Sequence, residues 1–133
     1  MKKIKTACVI DDDPIFIYGT KRMMNEVDFC EHILVYTNGL DALEGFKELK
    51  EQGAELPGVI FLDLNMPIMD GWDFLDDLGQ LLQEDMAHIT VYIISSSVDP
   101  RELNRVKDYK MVRNYVLKPL TPKDLDHVRT EVA

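Results

Sequence analysis

Five short apolar runs alternate with longer amphipathic stretches along the chain. The runs are rich in Val and Ile and nearly continuous, which is typical of strands buried on both faces of a parallel sheet. They span Thr6–Ile10, Ile33–Tyr36, Val59–Leu64, Val91–Ser95 and Tyr115–Leu117. The second run is the weakest, because polar residues flank it closely, and it therefore suits an edge of the sheet.

Helix signals lie between and after these runs. Asp13-Pro14 and Thr121-Pro122 each place a capping residue before a proline at the first helical position, and Asn38 is a third capping residue. The predicted helices run from Pro14 to about Val27, after Asn38, from near Asp70, over about Arg101–Lys110, and after Thr121. The second of them has a predicted apolar face made of Leu40, Leu43, Phe46 and Leu49.

The pattern amounts to five βα units in succession. Parallel strands joined by right-handed crossovers give a sheet with helices on both faces, an α/β fold. In such open sheets, functional sites form at the carboxyl ends of the strands. The 133 residues fit a single domain, 1–133.

Charge and cysteine usage narrow the classes of function. The formal net charge is -9, and an acidic surface repels nucleic-acid phosphates and anionic lipid. No apolar stretch approaches the roughly 20 residues that a membrane helix needs. Cys8 and Cys30 form neither a CxxC motif nor a disulfide framework, which favours a cytoplasmic location. We therefore expect no nucleic acid and no membrane among the partners.

The residues that carry chemistry lie at the predicted strand ends. Asp11 and Asp12 follow the first run, Asp63 lies in the third, and Ser95 and Lys118 close the fourth and fifth. Three carboxylates at one edge repel one another, and a hard cation such as Mg²⁺ relieves that repulsion. A lysine and a hydroxyl hold the oxygens of a transferring phosphoryl group, and a carboxylate serves as its nucleophile.

Four motifs stand at these strand ends: Val9-Ile10-Asp11-Asp12-Asp13-Pro14, Ile60-Phe61-Leu62-Asp63-Leu64-Asn65-Met66-Pro67 with Asp70-Gly71, Ile93-Ile94-Ser95-Ser96, and Tyr115-Val116-Leu117-Lys118-Pro119. Together and in this order they resemble bacterial response-regulator receiver domains, over nearly the whole chain. The resemblance implies a flavodoxin-like, doubly wound, five-stranded parallel sheet of strand order 2-1-3-4-5 with helices on both faces.

The resemblance also implies a phosphorylation site. Asp63 matches the phosphoacceptor. Asp12 matches a direct ligand of Mg²⁺ (or Mn²⁺), and Asp11 matches a carboxylate that acts on the metal through water. Asp63 and the backbone carbonyl of Asn65 complete the implied ligands.

The resemblance implies a second set of residues, which binds the phosphoryl group and responds to it. Lys118 matches the lysine that pairs with a phosphoryl oxygen. The Lys118-Pro119 peptide bond that follows is cis in such folds. Ser95, with Ser96 beside it, stands where the family usually has threonine. Serine keeps the hydroxyl but is less stiff at χ1, which loosens the switch. Tyr115 matches the aromatic residue that turns inward.

Partners and output follow from the same resemblance. The expected donor is a sensor histidine kinase or a histidine phosphotransfer protein of a two-component system or phosphorelay. Asn65 and Ser97 would flank the water that hydrolyses the phosphate. No output domain follows the fifth predicted helix, so we expect a stand-alone signalling switch rather than an enzyme, with Mg-dependent self-phosphorylation and self-dephosphorylation. The downstream protein target is unidentified, and the state is a monomer or a phosphorylation-dependent dimer.

Two other functions stay open from the residues alone. Asp11-x-Asp13 after an apolar strand resembles the nucleophile and acid of haloacid-dehalogenase-like phosphohydrolases. However, no acidic pair follows a later strand, and no cap domain is present. The second alternative is a phosphate-independent receiver-like binding module, which the complete acidic set disfavours.

Overall fold

Five parallel strands form one sheet in the order β2-β1-β3-β4-β5, which confirms the predicted fold. The computed structural model describes residues 4–82, 88–97 and 99–132. The strands are β1 Ile4–Ile10, β2 Cys30–Tyr36, β3 Val59–Asp63, β4 Thr90–Ser95 and β5 Val112–Leu117. All four neighbouring pairs are parallel, and β2 lies at an edge as predicted.

Three helices begin where the capping signals at Asp13, Asn38 and Thr121 predict, and the fourth begins at Pro100, one residue before its predicted start. They are α1 Pro14–Glu26, α2 Gly39–Glu51, α3 Gly71–Leu82, α4 Pro100–Val106 and α5 Pro122–Val132. Asp13 Oδ1 accepts from the backbone N–H of Ile15 at 3.0 Å, and the Asn38 side chain caps α2. Thr121 and Asp124 bond reciprocally in a capping box at the start of α5. Among the described residues, no helix is long and apolar enough to span a membrane.

Two apolar layers lie on opposite faces of the sheet. Ile60 and Leu62 of β3 pack into the layer under α2 and α3, together with Phe46 and Phe74. The alternate β3 residues belong to the other layer, which α1 and α5 cover. Because both faces of β3 are buried, its sequence is continuously apolar up to Asp63.

Several predicted boundaries were wrong. Both edge strands begin earlier than predicted, at Cys30 and Val112, because an edge strand tolerates the exposed polar residues that hid their starts. The fourth helix ends at Val106 instead of Lys110, because the chain turns there to enter β5. Leu40 is 36% exposed and does not belong to the buried face of α2, which is made of Gly39, Ala42, Leu43 and Phe46.

The loop between β3 and α3 folds back closely on the end of β3. The N–H of Gly71 donates to the carbonyl of Leu64 at 2.9 Å. A Cβ at Gly71 would lie 2.8 Å from the Leu64 Cα and 2.9 Å from the Asp63 carbonyl oxygen, so only glycine fits there. This close approach fixes the backbone that follows Asp63.

Candidate functional site

Three aspartates converge at the carboxyl edge of the sheet. Asp11 and Asp12 follow β1 and Asp63 ends β3, and these two strands are hydrogen-bonded neighbours. One oxygen from each carboxylate lies within 4.8 Å of the others. Asp11 is fully buried, Asp63 is nearly so, and Asp12 is exposed, so the cluster opens to solvent on one side.

Lys118 places a cation against this cluster. Its Nζ lies 2.6 Å from Asp11 Oδ2 and 3.9 Å from Asp63 Oδ2, and the lysine side chain is only 18% exposed. The backbone N–H of Lys118 donates to the Ser95 carbonyl at 2.8 Å, which holds the end of β5 against β4. The following Lys118–Pro119 peptide bond is cis.

The surroundings of Asp63 raise its pKa from the usual 3.8 to about 6. Burial is the largest cause, and the Asp11 carboxylate adds to it. The Lys118 ammonium and the N–H of Asn65, which lies 3.4 Å from Asp63 Oδ1, lower the pKa and partly offset these effects. At neutral pH the Asp63 carboxyl group is therefore mostly ionised.

The donor set fits a divalent cation such as Mg²⁺. Three carboxylates face one ammonium, which leaves the cluster with an excess of negative charge. Asp11 Oδ2 is buried and receives no well-directed hydrogen bond, although Lys118 Nζ lies beside it. Mg²⁺ and Mn²⁺ both favour carboxylate, carbonyl and water oxygens. Asn65, two residues beyond Asp63, is exposed at the rim of the cluster.

Ser95 and Tyr115 form a second group beside the carboxylates. Ser95 ends β4 and is buried, and its hydroxyl donates to the Ser97 carbonyl at 2.9 Å. The Tyr115 hydroxyl lies 2.9 Å from the same carbonyl. It also lies 2.8 Å from Oε1 of Glu102 on α4. Ser96 and Ser97 themselves are exposed.

Two residues of this region carried no distinct signal in the sequence. Phe16 places its ring beneath Lys118 Nζ at 4.6 Å from the ring centroid, yet its spacing indicates only an apolar helix residue. Glu102 stands in the first turn of a helix, where an acidic residue is favourable whether or not it has a partner. Both contacts are long-range in sequence, so only the fold reveals them.

Known proteins resemble the chain over nearly its whole length. Residues 7–129 match the profile of the response regulator receiver domain. The nitrate/nitrite response regulator protein NarL of Escherichia coli is 31% identical over 90% of this chain and 50% of its own length. The probable methanogenesis regulatory protein FilR2 of Methanothrix harundinacea is 25% identical over 93% of this chain and 78% of its own. The chain thus spans only about half the length of NarL.

A solved structure shows the same architecture. The two-component response regulator from Cytophaga hutchinsonii superposes with a TM-score of 0.91 at 32% identity, covering 98% of both chains. Profile, relatives and fold agree with the acidic cluster at the sheet edge. The chain therefore belongs to the response-regulator receiver domain family, whose general function is to accept a phosphoryl group and act as a signalling switch.

Proposed function

We propose that Asp63 is the phosphoacceptor of a Mg-dependent receiver. The observation that carries the proposal is the position of its carboxylate, which lies within 4.8 Å of carboxylate oxygens of Asp11 and Asp12 and 3.9 Å from the Lys118 ammonium. A carboxylate oxygen of Asp63 attacks phosphorus and forms a new P–O bond. The P–N bond to a donor histidine breaks, or the P–O bond to the acyl group of a small acyl phosphate, and its electron pair leaves with the donor.

The residues around Asp63 balance the charge of this transfer. Asp11, Asp12, Asp63 and the carbonyl of Asn65 would hold the cation. When bound, the cation neutralises the charge that develops on the transferring oxygens. The Lys118 ammonium binds a phosphoryl oxygen, and its ion pair with Asp11 keeps the ammonium at the site.

Phosphorylation would change the surface through Ser95 and Tyr115. The product adds about -1.5 to -2 charges and strong acceptor oxygens, if a phosphoserine is a guide. The Ser95 hydroxyl then breaks its hydrogen bond to the Ser97 carbonyl and donates to a phosphoryl oxygen instead. Because Tyr115 bonds to that same carbonyl, it moves with the loop, and the surface made by α4, β5 and α5 changes shape. Ser96 would contribute to phosphate binding, while Asn65 and Ser97 would tune hydrolysis.

The proposal extends to the partners and extent of the domain. The donor would be a sensor histidine kinase or histidine phosphotransfer protein, and the output a contact with another protein. Residues 1–133 would form one receiver domain, a monomer or a phosphorylation-dependent dimer, working in the cytoplasm. The net charge of -9 supports a protein partner rather than nucleic acid.

The geometry disfavours the phosphohydrolase alternative. Asp13 is exposed and its Oδ1 caps α1, so it is not aimed at the cluster as an acid. Asp11, the nucleophile of that reaction, is fully buried and is the carboxylate nearest to Lys118. Within the described residues, no strand follows β5 that could supply a further acidic pair.

Intact mass after incubation with acetyl phosphate tests the proposal. The wild type should gain one phosphoryl group with Mg²⁺ and none with a chelator. Asp63→Ala should gain none, whereas Asp13→Ala should still gain one phosphoryl group. Release of free phosphate that depends on Asp13 and not on Asp63 would support the phosphohydrolase. Neither adduct nor turnover would favour a phosphate-independent binding module.

A further inference from the structure

Phe16 lies against Lys118, the lysine that contacts the acidic cluster. It belongs to the first turn of α1, and Lys118 Nζ stands over its ring at 4.6 Å from the centroid. The ring is half-buried and packs against the apolar layer under α1 and α5. The ring thus contacts both the apolar layer and the ammonium of Lys118.

The ammonium of Lys118 meets three different neighbours. Asp11 Oδ2 lies at 2.6 Å, Asp63 Oδ2 at 3.9 Å, and the Phe16 ring lies beneath it. The ring attracts a cation by its quadrupole but offers no lone pair that competes with carboxylate or phosphoryl oxygens. It therefore covers one side of the ammonium and leaves the N–H donors aimed at the oxygens.

The side chain of a lysine does not by itself fix the position of its ammonium group. Its four-carbon stem is flexible, and its rotamer entropy opposes any single position of the ammonium. Burial on one side by an aromatic ring removes many of those positions. The ring is itself well anchored, because the Asp13 cap and the bond from the Ile17 N–H to the Asp13 carbonyl set the first turn of α1.

We propose that Phe16 is a positioning residue for phosphoryl transfer, holding the Lys118 ammonium toward Asp63 and the incoming phosphoryl oxygens. The proposal rests on the proposed function, because it assigns Phe16 a role in that same reaction. Phe16 touches neither the acceptor nor the donor in this account and acts only through Lys118.

Substitution of the ring separates this role from simple packing. Phe16→Leu keeps an apolar residue but removes the π face, and Phe16→Tyr keeps the face. Phe29→Leu is the matched control, because Phe29 is a buried aromatic of the same apolar layer. Urea unfolding with each variant establishes which variants fold and how much stability each one loses.

Phosphorylation by acetyl phosphate at saturating Mg²⁺ gives the kinetic readout. We expect Phe16→Leu to lower the maximal rate roughly three- to tenfold, as loss of a partly desolvated cation–π contact predicts. Phe16→Tyr and Phe29→Leu should stay within about twofold of the wild type. Mg²⁺ affinity, measured by isothermal titration calorimetry, should be unchanged in Phe16→Leu, because the carboxylates are intact.

An NMR measurement gives a readout independent of phosphorylation. The ring should shift the Lys118 Hε resonances upfield, and Phe16→Leu should abolish that shift while Phe29→Leu preserves it. Equal rates in Phe16→Leu and wild type, or an unchanged Lys118 shift, would overturn the positioning role. A wild type that takes no phosphoryl group would instead refute the proposed function itself, and the positioning role with it.

Discussion

The phenolic oxygen of Tyr115 lies 2.8 Å from Glu102 Oε1 and 2.9 Å from the carbonyl oxygen of Ser97. One hydroxyl carries one proton, so Tyr115 donates fully to only one of these oxygens at a time. The residues come from β5, α4 and the loop after β4, so one side chain links three segments. Burial and then the Glu102 carboxylate raise the pKa of Tyr115, which keeps it a neutral donor.

A double-mutant cycle of Glu102→Gln and Tyr115→Phe should detect this link. We expect a coupling of about 1 kcal/mol in the free energy of unfolding, since a hydrogen bond to a charged acceptor exceeds a neutral one. Urea denaturation of the two single variants and the double variant measures it. Glu44→Gln, at an exposed position on α2, is the control and should change stability little. Additive effects of the two substitutions would contradict the link.

Asp63 should make the metal-free protein less stable as the pH rises. Its pKa is raised to about 6 in the folded state, from an ordinary value near 3.8 in the unfolded one. Its stabilising contribution is therefore complete below about pH 4 and is lost as the pH rises through about 6. At neutral pH the free energy of unfolding is therefore lower by about 2 to 3 kcal/mol.

Asp63→Asn should remove this dependence of stability on pH. In the presence of a chelator, the variant should be more stable than the wild type at pH 7, by about 2 to 3 kcal/mol, and similar to it near pH 4. Urea unfolding across this pH range is the measurement. Parallel profiles for the two proteins would show that the buried carboxylate is not the cause.

Lys118→Met should destabilise the protein strongly. The substitution keeps the volume of the side chain but leaves the fully buried Asp11 carboxylate without its cation. Breaking a buried ion pair in this way costs about 3 to 5 kcal/mol. Mg²⁺ should restore part of the loss, because it binds the same carboxylates in the folded state only.

Thermal unfolding with and without Mg²⁺ compares this variant with Lys47→Met. Lys47 is exposed on α2, so its substitution should have little effect in either condition. If Lys118→Met were as stable as Lys47→Met without metal, the ion pair would not hold the cluster together.

The fluorescence of Trp72 should report on the packing of α4, because Trp72 contacts residues of α4 and of the turn after it. The guanidinium carbon of Arg105 lies 4.2 Å from the Trp72 ring centroid, and the Tyr109 ring lies 5.8 Å away. Tyr109 donates in turn to Asp76 Oδ1 at 2.9 Å, so α3 is tied to α4 and the turn after it. Arg105→Ala should raise acrylamide quenching of the single tryptophan and cost about 0.5 to 1 kcal/mol. Arg101→Ala, on the exposed side of α4, should leave the quenching unchanged.

The parts that burial and local chemistry dictate could be predicted from the sequence. Strands buried on both faces, such as β3 and β4, have continuous apolar runs, so the pattern located each of them with a difference of one residue at one end. The caps at Asp13 and Asn38 act within a few residues of the chain, and both helix starts were predicted correctly. Because parallel strands end at one edge, the convergence of Asp11 and Asp63 followed from topology.

The rest depends on tertiary contacts that no local pattern encodes. The early parts of β2 and β5 are polar because they lie at sheet edges, so the pattern missed them. The end of α4 is set by the entry into β5 rather than by helix propensity. Phe16 reaches Lys118, and Glu102 reaches Tyr115, across large distances in sequence, so neither contact was predictable before the fold was known.

Chemical mapping of the phosphorylated residue shows which aspartate accepts the phosphoryl group. After incubation with acetyl phosphate and Mg²⁺, borohydride reduces an aspartyl phosphate to homoserine, which peptide sequencing by mass spectrometry locates. We expect homoserine at position 63 alone, and none in samples treated with a chelator. Homoserine at position 11, 12 or 13, with position 63 unmodified, would contradict the assignment of Asp63 as the acceptor.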